Sequence, residues 1–404
     1  MKSLLVIATA LAVGYVGAIP ADHPLVAKLD KLATLNKRQG GMTALANNMF
    51  NPKGGKVAAV AGAPPTRQAN QKDSPAGANR VKMRYGPYKV PNMGVTNILG
   101  EEGALWNYAD PVAEKPCDAQ DGGACTIVGM YAGLEYPDGK NANIDSGLWL
   151  HHFVLFNVGP GRQDATCSSI SLPHMLVGSS ASGSERLFSS GNERTQAIVP
   201  NWPTGKNVGY KLKKEDKFAL IVDLMNENMK DEVVYLTITF DIMSPAATAT
   251  YDDMKPVWFD VAQCLTSEWP APYNSGNYTV PAATWVANFD GEIIGAAGHL
   301  HDGGQRVTLE VDGKQVCNSE AKYGETKEYV QAKAMHANPN SATEHISSMS
   351  VCMGPKFLQK DLVKGQKWKL RAEYDYNKNK GMMHGNGKQS TVMGIAIMYV
   401  RVKK

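Results

Sequence analysis

Beyond its N-terminal leader, this chain has no long stretch that keeps the 3.6-residue apolar period of a helix. What it has is short runs rich in Val, Ile, Tyr, Phe and Thr, separated by Gly, Asp, Asn and Pro. Leu148 to Val158, Phe218 to Val222, Val233 to Met243, Arg306 to Val311, Lys367 to Tyr374 and Val392 to Val402 all read as strands. Asp312-Gly313, between Val311 and Val316, is a hairpin turn signal, because a two-residue loop needs residues that tolerate positive φ. Many short strands over more than 300 residues predict an all-β protein of two tandem jelly-roll or β-sandwich domains. The Pro-rich passage from Trp269 to Pro281 reads as the boundary, giving domains over 81–268 and 282–404.

The 404-residue length fits two domains, and 43% hydrophobic residues suffice to fill their cores. A net charge of +4, with basic residues scattered, offers no nucleic-acid surface. Lys2, the apolar run from Leu4 to Val16 and the small residues Gly17 and Ala18 form a secretory signal over 1–18. No later stretch is a membrane span, so the chain is expected to be secreted and extracellular. Lys37-Arg38 follows a helix-prone segment and reads as a processing site that removes a propeptide over 19–38; an ordinary exposed basic pair is the alternative. Residues 39–80 are rich in Gly, Ala, Asn, Pro and Gln and are expected to form a disordered linker. Asn277-Tyr278-Thr279 is a glycosylation acceptor expected on a surface loop.

Six cysteines in an exported chain favour disulfides over metal thiolates. The expected pairs are Cys117–Cys125 as a short loop, Cys317–Cys352 within the second half, and Cys167–Cys264 by elimination.

Four of the nine histidines fall in two tight motifs, His151-His152 and His299-Leu300-His301. On a strand, residues i and i+2 point to the same face, so His299 and His301 can reach one metal ion. The Asp302-Gly303-Gly304 that follows would end the strand and leave the pair near a rim. Two unrelated histidines on a polar strand face are the competing reading. His151 and His152 are adjacent and point to opposite faces unless the strand is bulged. Met393, in an apolar run, reads by itself as core packing.

Taken together, His151-His152, His299-x-His301 and Met393 in a C-terminal strand resemble the ascorbate-dependent copper type II monooxygenases. A closer resemblance is to the secreted stress-up-regulated nodulin family. It rests on Gly298-His299-Leu300-His301-Asp302-Gly303-Gly304, on Val316-Cys317-Asn318-Ser319 followed by Tyr323-Gly324, and on Ile346 to Cys352. The resemblance implies a jelly-roll pair, a role in stress response and one copper held by His299, His301 and Met393. It implies a second copper at His151 and His152, but Asp223 stands where the family has the third histidine. His174 is a conceivable substitute.

The family's peptide clamp is also missing, because Ala297, Ile395 and Ile397 occupy its polar positions. The resemblance therefore predicts an apolar pocket near Met393 and no peptide amidation. It implies an extracellular reductant such as ascorbate and a small-molecule or polymer substrate. The alternative is a non-catalytic copper binder. Met382, Met383 and His384 read as part of an exposed Lys-Gly-rich loop rather than as extra ligands.

Overall fold

The computed structural model describes residues 42–75, 77–167, 171–198, 207–331 and 338–402; the leader and Lys37-Arg38 lie outside them. The principal strands of the first half are β1 (Asn79–Val90), β2 (Ala104–Ala113), β3 (Cys125–Glu135), β4 (Leu148–Val158), β5 (Ser184–Gly191), β6 (Val208–Leu212), β7 (Lys217–Asn226) and β8 (Glu232–Met243). They are followed by β9 (Asp252–Asp260), β10 (Gly291–His299), β11 (Gly304–Val311), β12 (Lys314–Tyr323), β13 (Lys367–Asp375), β14 (Val392–Met393) and β15 (Ile395–Val402). Helices among the described residues are short, chiefly α1 (Met42–Phe50) and α2 (Leu172–Leu176), so the fold is an all-β sandwich.

In the first half, the order β2-β7-β4-β5 forms one sheet and β1-β8-β3-β6 belongs to another. Their apolar faces share one core, with Leu155, Phe218 and Val222 from the first and Met83, Ile127 and Ile238 from the second. In the second half, β9-β15-β10 packs against the sheet containing β13-β11-β12, around Phe259, Leu309, Trp368 and Met398. Asp312 (φ 48°) and Gly313 (φ 79°) make the β11–β12 turn in the left-handed region, as the Asp-Gly signal requires.

The two halves share strands. β9 precedes the Pro-rich passage, yet it pairs along its length with β15 at the C-terminus, from Asp253↔Val402 to Asp260↔Ile395. A short parallel contact of β9 with β6 carries the first half's sheet into the second's. β15 is apolar on both faces. Ile395, Ile397 and Tyr399 join the first core, and Ala396, Met398 and Val400 join the second.

The expectation of a disordered linker over 39–80 is corrected by the ordered residues within it. Helix α1 buries Leu45, Ala46 and Phe50. Asn47, one turn before Asn51, exchanges two hydrogen bonds with the backbone of Ala109, and Asn51 does the same with Trp106. The two carboxamides thus stand in for a neighbouring strand and satisfy the outer edge of β2. The Asn and Ala content that suggests disorder is what this edge-covering helix uses.

The cysteines form three disulfides, Cys117–Cys125, Cys167–Cys264 and Cys317–Cys352. Asn277 is exposed but begins the edge strand Asn277–Pro281, paired with β13, rather than lying in a loop. No helix among the described residues is long and apolar enough to cross a membrane.

Candidate metal centre

The site begins with an irregularity in β4. His152 lies directly opposite Asp223 on β7, but the register shifts one step later, where Met225 pairs with Trp149. Leu150 and His151 together face Leu224, so His151 sits in a β-bulge. The bulge lets adjacent histidines turn toward one group. His151 Nδ1 lies 3.1 Å from Asp223 Oδ1, and His152 Nε2 lies 3.5 Å from Asp223 Oδ2.

A second bulge, on β2, disturbs the other side of β7 between Val222 and Leu224. It puts Asn107 at φ 40°, and the Asn107 amide donates to Asp223 Oδ2 at 3.1 Å. Asp223 is therefore gripped from both neighbouring strands. Glu268 completes this group: ligand atoms of His151, His152, Asp223 and Glu268 all lie within 4.8 Å of one another. Trp106 Nε1 donates to Glu268 at 2.9 Å, so the strand edge that α1 covers also positions a site carboxylate.

His299 arrives from the second half. It ends β10 opposite Ile395, on the face of that sheet that meets the first core. Its Nδ1 faces both carboxylate oxygens of Glu193, at 3.0 and 3.1 Å, which leaves Nε2 as the lone-pair nitrogen. Gly191 makes room for the ring. A Cβ there would lie 2.4 Å from His299 Cε1 and 2.6 Å from the His151 carbonyl.

His301 Nδ1 donates to the Thr391 carbonyl at 2.7 Å, which again frees Nε2. The Tyr374 hydroxyl accepts from the amides of His301 and Met393, both at 3.2 Å, and donates to the Met393 carbonyl at 2.6 Å. One phenol thus fixes the backbone of both expected ligands. Met393 pairs directly with Glu268, so the two side chains leave the same face of that ribbon; Met393 is fully buried. In the motif after His301, Gly303 adopts φ 87°, and a Cβ there would lie 2.2 Å from the Tyr376 ring.

The four histidines form a closed circuit. Ring centroids are 5.3 Å apart for His151–His152, 6.3 Å for His152–His299, 5.8 Å for His299–His301 and 4.3 Å for His301–His151. Both ring nitrogens of His152, and Nε2 of His299 and of His301, are buried without a hydrogen-bond partner. Orphaned buried imidazole nitrogens are costly unless something binds them, and a metal ion does.

Burial pushes the His152 imidazole down to about 3 and lowers His301 as well, so both are neutral and ligand-competent. Burial also opposes charge on His151, but Asp223 carries it up to about 8. Burial raises Glu268 to about 8, with the Asp223 charge adding to the effect.

Some sequence readings change here. His174 is buried elsewhere, against Ser171 and Asp164, and does not complete the His151-His152 group. Met382 and Met383 are buried rather than exposed, and Met382 lines a pocket with Met225, His151 and His301. Glu193, Glu268 and Tyr374 were not singled out from the sequence, because isolated carboxylates and a strand tyrosine carry no motif.

Fold and site together define an all-β protein whose two halves jointly enclose a histidine–carboxylate cluster. A family model described as "Stress up-regulated Nod 19" matches residues 229–400. The chain is 30% identical over 274 residues to "Probable copper-dependent oxygenase clz3" of Cochliobolus lunatus, covering 67% of this chain and 78% of that protein. It is 29% identical over 323 residues to "Probable copper-dependent oxygenase M1" of a Phoma strain, covering 79% of this chain and 72% of that protein. A solved structure of PNGF-II aligns over 88% of this chain and 66% of its own, with 11% identity; its TM-score of 0.34 is too low for any argument. The chain belongs to the copper-oxygenase-like family that carries the stress up-regulated Nod 19 domain.

Proposed function

We propose that the chain is a secreted copper-dependent oxygenase that acts on an uncharged, apolar substrate and draws electrons from an external reductant of the ascorbate type. The observation that carries this reading is the set of orphaned imidazole nitrogens: Nε2 of His299 and His301 and the ring nitrogens of His152, buried together where the four histidine rings meet. The donor set fits copper. Imidazoles, with the thioether that the sequence motif assigns at Met393, suit copper, and the copper-dependent oxygenase relatives favour it over zinc, which histidine–carboxylate groups also hold. Copper, when bound, supplies dioxygen binding and one-electron redox chemistry.

The remaining work falls to the chain's own residues. Glu193 and the Thr391 carbonyl set the His299 and His301 tautomers, and Tyr374 holds the strands that carry His301 and Met393. A pocket beside His299 is lined by the apolar Phe188, Ala297, Ile395, Ile397 and Tyr399 and by the polar Ser189, Glu193, Thr195 and Gln196. The pocket lining includes no Lys or Arg, and Glu193 would repel an anion there, so a substrate with a free carboxylate is disfavoured. The overall reaction places one oxygen atom of dioxygen into a C–H bond and releases the other as water. The reductant supplies the two electrons and two protons this needs. The three disulfides accord with secretion.

Metal analysis of protein expressed in copper-containing medium, alongside His299→Ala and Met393→Ala, tests the metal. Oxygen uptake with ascorbate tests turnover. Zinc occupancy insensitive to Met393→Ala would refute the copper assignment. The second reading, a copper-storing protein without turnover, is favoured by Met225 and Met382 beside His151 and His301. Copper binding without oxygen uptake across a panel of apolar substrates would select it.

A further inference from the structure

The sequence motifs separate into two sets of donors, but the structure puts the sets in contact. His151, His152, Asp223 and Glu268 form one tight group. His299 and His301 stand against it: the His301 ring lies 4.3 Å from His151, tilted by 36°, and His299 lies 6.3 Å from His152. Rings 4.3 Å apart leave no space for a side chain or a water layer between them. Each histidine of one set therefore neighbours a histidine of the other.

The carboxylates strengthen this arrangement. Two cations in one cavity repel, and in a buried site the repulsion is poorly screened. Asp223 and Glu268 lie inside the first group, and Glu193 backs His299. Three buried carboxyl groups stand among four imidazoles, so the cavity offers more donor groups than one copper ion uses.

We infer that the two sets form one binuclear centre, in which two copper ions interact directly, rather than two independent mononuclear sites. This rests on the copper reading above and adds that the ions are coupled.

The test is to titrate the full chain with Cu(II), measuring total copper and the double-integrated electron paramagnetic resonance signal on the same samples. Binding of two ions per chain is expected, with the spin count rising with the first equivalent and falling well short of total copper at the second. His301→Ala and, separately, His299→Ala should limit uptake to one ion and restore a full spin count for it. Circular dichroism would confirm that each variant is folded.

A full spin count at two bound ions overturns the coupled pair and leaves the copper reading intact. Saturation of the wild type at one ion overturns it equally. Failure to bind copper at all overturns both readings.

Discussion

Gly191→Ala is the smallest change that should disable the centre. The added Cβ would lie 2.4 Å from His299 Cε1, 2.8 Å from His299 Nδ1 and 2.6 Å from the His151 carbonyl oxygen. The ring can rotate away, but the carbonyl belongs to the bulged β4 backbone and cannot yield as easily. Rotation also breaks the hydrogen bond from His299 Nδ1 to Glu193. Loss of such an orienting contact typically costs a metal site about 10- to 100-fold in affinity, or roughly 1.4 to 2.7 kcal/mol. Overpacking adds about 1 to 3 kcal/mol of folding destabilisation. The assay is competition for Cu(I) against a colorimetric chelator under anaerobic conditions, with urea unfolding of the same protein. Gly183→Ala is the control, because a Cβ there meets nothing closer than 3.4 Å. Gly191→Ala with wild-type copper affinity, or with lost stability and unchanged affinity, would show that His299 does not hold the metal.

Other expectations follow from single contacts. Asn51→Ala strips two hydrogen bonds from the Trp106 backbone at the β2 edge and should cost about 2 kcal/mol in urea unfolding, with weaker copper binding because Trp106 holds Glu268. Tyr374→Phe removes the hydroxyl shared by His301 and Met393 and should lower stability by about 1 to 3 kcal/mol and copper affinity with it, read by the same two assays. Replacing Cys167 and Cys264 together by Ser opens a link spanning 97 residues and should cost about 2 to 5 kcal/mol in thermal unfolding. Burial raises Glu227 to about 7, above its usual carboxylate value of about 4.3, so the folded state keeps a proton that the unfolded chain releases. Stability should therefore fall as pH rises through that window, by roughly 3 to 4 kcal/mol in all, and Glu227→Gln should flatten the slope in urea titrations across it.

The strands were legible because alternation and turn chemistry are local properties. Leu148 to Val158 is bounded in the structure as the residue pattern bounds it, and the Asp312-Gly313 turn needs no tertiary information. The metal candidates were visible through spacing, and the adjacency of His151 and His152 already required a bulge for both to share one target. What was not legible depends on contacts between distant segments. Asn47 and Asn51 look like linker residues until an edge strand lies beside them. Glu193 and Glu268 meet histidines 106 and 117 positions away, as His299 and His151, and nothing near them in sequence signals a site. The approach of His151 to His301 comes from how the halves dock, which no strand pattern encodes.

That docking also limits how the centre can move. Parting the halves would expose Ile395, Ile397 and Tyr399, which β15 buries in the first core while its alternate residues stay in the second. At about 1.5 to 3 kcal/mol per large apolar side chain, this costs roughly 5 to 9 kcal/mol, comparable with the whole stability of an ordinary domain. β9 adds to the cost, since Met254 and Trp258 face the first core and Val257 and Phe259 the second. A hinge opening that pulls His299 and His301 away from His151 and His152 would therefore be populated only at about 10⁻⁴ to 10⁻⁷ of the closed state. Local movement at the pocket rims, beside His299 on one side and beside His151 and Met382 on the other, is the cheaper route to the proposed copper centre. β15, buried in both cores, is thus what keeps four imidazoles in one place.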